Sequence, residues 1–475
     1  AVALAPAAPP VPAVPAPPPA VLRTAAVPST RLSRATGFAS LGANLLYGVA
    51  AEAVSRAVAP SSASGSGPLL ATDRNADALS SGLRRMRGAA LKLGQMLSVQ
   101  DESMLPPALA RALGSVRGGA DVMPRSQLEA QMAAALGTDW RDSFARFDDV
   151  PCAAASLGQV HLATLHDGRR AAVKVQYPGV ADSIESDLRN LHMLIKLTNF
   201  APPGLFIDEV VRVGRQELVA EVDYQREAES QRTFRRLVAE DPVLRAGGMS
   251  VPDVIDGLSR ETVLVTEYAP GATVDRAAAE LPQEERNRIG REVLRLTITE
   301  LFRWRFMQTD PNWANFLYDA DTATTHLIDF GACRTFDRKF VDGYLRIVWA
   351  AAQNDSASLM DASHDMGFLT GDEGDVMLEA HRMSGLTVGE PFQSNEPYDF
   401  AASGISKRIS GHGAAFMQHR LTPPPSEVYS LHRKLSGAYA LCIKLGAVVQ
   451  CRDLLEEVVE DYVFEDGVTV LERGR

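Results

Sequence analysis

Apolar residues fall on one helical stripe at Leu83, Met86, Ala90, Leu93 and Leu97, with spacings of three and four that predict an amphipathic helix. Leu128, Met132 and Leu136 repeat at four, and the helix they predict within 121–150 ends ahead of Asp148, Asp149 and Pro151. Beyond Pro151 the period drops to two. The spans 159–165 and 171–177 alternate as strands joined across His166-Asp167-Gly168, where the Asp-Gly pair reaches positive φ with little strain. In the second strand Ala172, Lys174 and Gln176 share one face and Val173 and Val175 the other, so a lysine projects over a sheet. A helix is expected over 207–230, with Glu217, Glu221 and Gln225 along one face and Asp223 about 200° around from Glu221. The β-rich run 262–268 leads through Glu267-Tyr268-Ala269-Pro270-Gly271 into a connector. A hairpin is expected over 315–330 with its turn at 319–322, and helical spacing returns over 340–351 and 431–459.

The start of the chain departs from this patterning. Residues 1–34 are dominated by Ala, Pro and Val and are expected to be a disordered targeting or linker segment. No acid precedes Glu52, while Arg23, Arg31 and Arg34 supply positive charge, which favours organelle targeting. Residues 35–51 carry no charge, a run at the lower limit for crossing a bilayer, so 35–58 is expected to be a membrane or interfacial helix. Across 475 residues the formal charge is −11 with no basic tail, which disfavours nucleic acid as a partner. The four cysteines lack CxxC spacing and the histidines, His161 and His326 among them, lack ligand spacing. Neither a zinc site nor a disulfide framework is expected.

The chemistry gathers at Lys174 and in two short segments. A lysine over a sheet calls for an anion, and the preceding loop 153–158 (Ala153, Ala154, Ala155, Ser156, Leu157, Gly158) lies where a phosphate-covering loop would sit. Alanine still offers N–H groups there but has less backbone freedom than glycine. Glu221 is the expected carboxylate partner of Lys174. Asp310 followed five later by Asn315 has the D-x-x-x-x-N form of a kinase catalytic loop, and Asp329-Phe330-Gly331 follows at the end of the hairpin. Strand lysine, helix glutamate, connector, catalytic loop and DFG in this order predict an α+β, bilobal protein-kinase-like fold. Lys174 would hold nucleotide phosphates, Asp310 would orient or deprotonate the acceptor, and Asn315 and Asp329 offer oxygens to Mg²⁺. Glu267 and Ala269, at the connector, are candidate nucleotide-contacting positions. Gln308 and Thr309 stand where kinases usually have His and Arg, no APE follows the DFG, and little chain remains for docking a protein substrate.

With these motifs in place the sequence resembles the UbiB family of atypical kinases over about residues 31–475. Lys92-Leu93-Gly94-Gln95 matches the family's KxGQ motif, 153–158 its Ala-rich loop and Glu221-Val222-Asp223 its ExD motif. The resemblance implies an N-terminal helical KxGQ extension at 70–150, a small lobe at 151–271 and a mostly helical large lobe at 272–475. It implies that Lys92, Gly94, Gln95, Glu221 and Asp223 regulate access to the site, with ATP or ADP and Mg²⁺ as cofactors. It further implies support of ubiquinone synthesis at the mitochondrial inner membrane, with plastid relatives as the alternative. Membrane lipids, quinone precursors and coenzyme Q biosynthetic enzymes are the implied partners, and a homodimer is left open. A Ser/Thr protein kinase and a nucleotide-switched lipid-binding scaffold without turnover are the competing readings.

Overall fold

Val173 and Val175 alternate inward from one strand and are fully buried, which fixes the register of the small-lobe sheet. In the computed structural model that sheet is antiparallel, in the order β1 (Arg146–Phe147), β3 (Gly158–Thr164), β4 (Arg170–Gln176) and β6 (Val263–Glu267), with β2 (Ala153–Ala154) also paired to β3. The structure describes residues 36–37, 40–44, 47–48, 51, 122–155, 157–198, 206–310 and 312–470. The segment 1–34, the KxGQ residues Lys92, Gly94 and Gln95, and Ser156 lie outside the described residues. β1 belongs to the sheet although it precedes the expected boundary at 150/151. The expected helix within 121–150 is confined to α1 (Arg125–Leu136), because Gly137 adopts φ 96° and ends it. Leu128 and Met132 of α1 pack with Trp140, Leu157, Val173 and Val265 in the small-lobe core, and Leu41 joins them. His161 is a core histidine, bonded to Gln159 and to the Asp148 carbonyl. All four cysteines are free, and no helix among the described residues is long and apolar enough to cross a membrane.

After α2 (Val180–Thr198), the helix expected over 207–230 is two helices, α3 (Ile207–Glu221) and α4 (Tyr224–Glu240). Asp223 is the N-cap of α4 and accepts the Arg226 N–H at 3.0 Å, so the chain restarts in a new direction two residues after Glu221. Tyr224 packs in the small lobe against Val254 and Leu264, whereas Phe234 and Val238 lie in the large-lobe core. One helix therefore spans both lobes.

The connector is shown by β6 ending at Glu267 and β7 (Ala272–Thr273) entering the large-lobe sheet, ordered β5 (Met249–Ser250), β10 (Thr324–Leu327), β9 (Phe316–Asp319), β7. β8 (Phe306–Gln308) pairs with β11 (Cys333–Thr335) beside it. Around these strands pack α5 (Gln283–Phe302), α6 (Arg338–Ala352), α7 (Asp375–Gly389), α8 (Gly413–His419), α9 (Ser426–Leu445) and α10 (Arg452–Val459). The helical stretch expected over 431–459 is thus split between α9 and α10, with Gly446 in a left-handed conformation ending α9.

At the connector Gly271 has φ 116°, and a Cβ there would stand 2.4 Å from the Tyr318 carbonyl oxygen. Both the conformation and the close approach exclude a side chain. Gly271→Ala is expected to destabilise the fold by about 2 kcal/mol, read as a lower urea midpoint with an unchanged slope. An unchanged midpoint would contradict the crowding.

Candidate active site

A lysine taken out of water needs a partner, and the break after α3 brings one to Lys174. Glu227, in the first turns of α4, accepts from Lys174 Nζ through both carboxylate oxygens at 2.6 and 2.9 Å. This corrects the expected pairing with Glu221. With α3 ended at Glu221 and α4 reoriented from Asp223, the residue aimed at the strand is Glu227, which is 2% exposed. Glu221 remains close, since a Cβ on Gly331 would lie 3.2 Å from its Cγ and 3.4 Å from Glu227 Oε2. Gln176, on the same strand face as Lys174, donates to the Val222 carbonyl at 2.8 Å and pins the break itself to the sheet. Tyr224 completes the wall. The Lys174 ammonium lies 5.1 Å from its ring centre, and its buried hydroxyl has no partner among the described residues.

Asp329 closes the cluster from the other lobe. Its Oδ2 is 3.8 Å from Lys174 Nζ, its Oδ1 accepts the Gly331 N–H at 3.1 Å, and its side chain is 30% exposed. Buried Asn315 donates its amide to Asp310 Oδ2 at 3.2 Å, and the Ile328 N–H bonds to the Asn315 carbonyl. That orientation turns the Asn315 amide oxygen away from Asp310, as an oxygen able to meet a cation. The structure thus sets Lys174 beside Asp329 and Asn315 beside Asp310, with the Ile328–Asn315 backbone bond joining the two pairs.

Burial alone would push the Lys174 pKa down, but Asp329 and Glu227 outweigh it and hold the ammonium well above its usual range. Burial lifts Glu227 to about 7, with Lys174 pulling it down and Asp329 and Glu221 pushing it up. The two directions have one origin: Glu227 and Asp329 flank a single ammonium and Glu221 adds a third negative charge near Glu227, so the cation stays charged and the most enclosed acid resists ionising. The cluster lacks positive charge, which fits a divalent cation entering with phosphate oxygens. Among the described residues no group of three or more His, Cys, Asp or Glu could by itself hold a metal ion.

The Ala-rich loop is built as a hairpin. Ala153 and Ala154 pair with Val160 and Gln159, and the Ala155 N–H bonds to the Gly158 carbonyl at 2.8 Å. Gly158 is required by packing, because a Cβ would meet the Val175 carbonyl oxygen at 2.5 Å and the Tyr224 hydroxyl at 2.6 Å. At the connector, Ala269 is buried. The Glu267 carboxylate is engaged by Arg169 at 3.3 Å and by the Asp253 N–H at 3.4 Å, so its side chain serves the sheet edge. Gln308 and Thr309, the departures from the usual kinase sequence, hold the catalytic loop. The Thr309 N–H and hydroxyl both bond to the Ala332 carbonyl, and buried Gln308 accepts from Lys434 Nζ at 3.2 Å. Lys434 also pairs with buried Glu300 at 3.5 Å.

Sequence reasoning missed Glu227, Tyr224 and Lys434. An N-cap signal at Asp223 would have started a new helix there and turned attention to the acid four residues on.

Glu227 ionises near 4.5 in the unfolded chain but holds its proton to about 7 in the fold. The folded state thus binds the extra proton between these values, so the group's contribution is present below 4.5 and lost as pH rises through 7. Relative to Glu227→Gln, the wild type should lose up to about 3 kcal/mol between pH 4.5 and 7.5, measured by urea unfolding across that range. Parallel stability curves for the two proteins would contradict the assignment.

Comparison with known proteins adds ancestry to this geometry. Residues 115–363 match the ABC1 atypical kinase-like domain. The chain is 46% identical over 454 residues to the Caenorhabditis elegans mitochondrial atypical kinase coq-8, covering 94% of this chain and 59% of that protein. It is 45% identical over 438 residues to the rat mitochondrial atypical kinase COQ8B, covering 92% and 82%. With the Saccharomyces cerevisiae mitochondrial atypical kinase COQ8 it shares 40% over 443 residues, covering 92% and 86%. Against the nematode relative it therefore spans less than two thirds of the length. A solved Mycobacterium tuberculosis chain, the Rv3197–erythromycin complex, superposes with a TM-score of 0.56 at 26% identity, covering 79% of this chain and 93% of that one.

Proposed function

The chain belongs to the ABC1 atypical kinase-like family, the UbiB family, and from that premise we propose that it is a mitochondrial Mg-ATP-dependent ATPase or atypical kinase supporting ubiquinone synthesis. The observation that carries the reading is the junction of the lobes, where the Lys174 ammonium meets Glu227 and Asp329 and, on the segment bonded to the strand before Asp329, Asn315 is hydrogen-bonded to Asp310. Lys174, fixed by both oxygens of Glu227, holds the α- and β-phosphates. Asn315 and Asp329 would hold Mg²⁺, with phosphate and water oxygens completing its shell. The metal would neutralise charge on the transferring phosphoryl group. Asp310, tied to Asn315, orients the attacking hydroxyl or water and takes its proton. The alanine hairpin, with its Ala155 N–H already bonded to the Gly158 carbonyl, would cover the phosphates with less freedom than a glycine loop, which restricts the nucleotide geometries the site accepts.

The acceptor we propose is a small or lipid-linked molecule, among quinone precursors or within the biosynthetic enzyme complex at the inner membrane. Support comes from the chain after Gly331, which enters β11 at Cys333 and α6 at Arg338, too short a path for a protein-docking activation segment. The KxGQ segment is proposed to narrow access further.

Purified chain is expected to release phosphate from Mg-ATP, with membranes containing quinone-precursor lipids raising the rate. Asp329→Asn should reduce turnover at least 100-fold, and Lys174→Ala should remove the stabilisation by Mg-nucleotide, about 2.7 kcal/mol at 100 times Kd, while the apo fold survives. Nucleotide binding without turnover under any of these conditions would replace the ATPase reading with a nucleotide-switched scaffold.

A further inference from the structure

The large lobe holds a cavity of about 300 Å³ between α5, α6, α7 and α9, and Lys174, Glu227, Asp310, Asn315 and Asp329 do not line it. Protein interiors are close-packed and rarely leave voids of this size, whereas ligand pockets begin at about this volume. Most of its wall is apolar, with Phe302, Val348, Val388 and Leu435 among the lining side chains.

One part of the wall is polar and under-satisfied. Arg420 lies over the Phe416 ring, 4.8 Å from its centre, and its Nε has no hydrogen-bond partner among the described residues. Burial pulls the Arg420 pKa down and only Tyr429 opposes that pull; among the described residues no carboxylate pairs with the guanidinium. The Tyr429 hydroxyl and Ser384 Oγ, also on this wall, lack partners among the described residues. His381 and His432 face the same region and are depressed to about 4, by burial first and then by Arg420, so both are neutral at pH 7. The carboxylate acting on His381 is Glu373, which is occupied by the N–H groups of Thr370 and Gly371. Two guanidinium groups line the cavity, but Arg433 is paired with Glu217 at 2.7 Å, so among the described residues Arg420 is the one without a carboxylate, with neutral hydrogen-bonding groups beside it and an apolar remainder.

We propose that this cavity is a binding site for an acidic amphiphile, a single carboxylate head on an apolar body, with Arg420 as its anchor and the Tyr429 hydroxyl as a second donor. A guanidinium matches a carboxylate in shape and charge, and with Arg433 already neutralised by Glu217 the one remaining cation balances a monoanion better than a phosphate dianion. The apolar wall takes the tail. The site goes beyond the nucleotide reading and does not depend on turnover.

The test uses the full chain, with decanoate and decanol as probes of equal length, measured by calorimetry at pH 7.4. Decanoate is expected to bind at least tenfold more tightly than decanol and to stay bound in saturating Mg-ATP. Arg420→Gln should reduce decanoate affinity at least tenfold and leave decanol unchanged, while Arg420→Lys retains part of the preference. If Arg420→Gln does not fold, Ser384→Leu, which occupies space on the same wall, should weaken both probes. Equal affinity for the two probes, absence of binding, indifference of decanoate to the available variant, or competitive displacement by Mg-ATP would each overturn the proposal. Loss of ATP turnover with decanoate binding intact would overturn the enzymatic reading alone.

Discussion

The alignment of the site depends on the contact between Lys174 and Glu227. An ammonium 16% exposed, held by a carboxylate 2% exposed, has given up most of its hydration and is tolerable only because two short hydrogen bonds replace it. Without Glu227 the buried ammonium would keep only Asp329, at 3.8 Å, while without Lys174 the enclosed Glu227 would keep its proton; the two hydrogen bonds couple α4 to β4. The same helix buries Phe234 and Val238 in the large-lobe core. Arg226, one residue before Glu227, donates to the Cys333 carbonyl at 2.6 Å, just beyond the DFG glycine. Packing of one helix in both lobes therefore sets the separation of Lys174 from Asp329.

A second set of contacts ties the catalytic loop to α9. Lys434 reaches Gln308 and Glu300 in the core, and the neighbouring Arg433 pairs with Glu217 of α3 at 2.7 Å, with both side chains nearly buried. The helix that ends beside the site at Glu221 is thus anchored four residues earlier to the large lobe. Gln308 and Thr309 lose the chemistry that His and Arg bring to other kinases but gain a scaffold role. Thr309 fixes the strand after Gly331 through two bonds to one carbonyl, so loop and DFG move as one unit.

Much of this was legible in the sequence, for identifiable reasons. The period-two alternation around Lys174 and the order of Asp310, Asn315 and Asp329 depend on local spacing, and local spacing survives folding. The partner of Lys174 was not legible in the same way. Glu221 has the right helical face only if 207–230 is one helix, and the two-residue break at Val222 and Asp223 changes which acid points at the strand. The break is stabilised from outside, by Gln176 bonding to the Val222 carbonyl, a contact 46 residues away in sequence. Helical periodicity carries no trace of it. The expected helix over 121–150 failed more simply, at Gly137, where a glycine in a positive-φ conformation ends the run that apolar spacing would continue.

The placement of glycine and alanine in the β2–β3 hairpin follows from the same packing. Gly158 sits against the Val175 carbonyl and the Tyr224 hydroxyl with no room for a Cβ, so the strand end can approach α4 only with glycine there. Ala153 and Ala154 are paired in β2, where a methyl group is accommodated and restricts the backbone. A glycine-rich loop would leave the hairpin free to sample several positions. Alanine at 153–155 instead commits it to the register set by β3, and β3 is held by β4, the strand of Lys174. Tyr224 joins the two ends of this arrangement, with its hydroxyl beside the position of a Gly158 side chain and its ring beneath the lysine ammonium. The geometry of the cover is therefore tied to the ion pair below it: a shift of α4 that lengthened Lys174–Glu227 would also withdraw the support on which the hairpin rests.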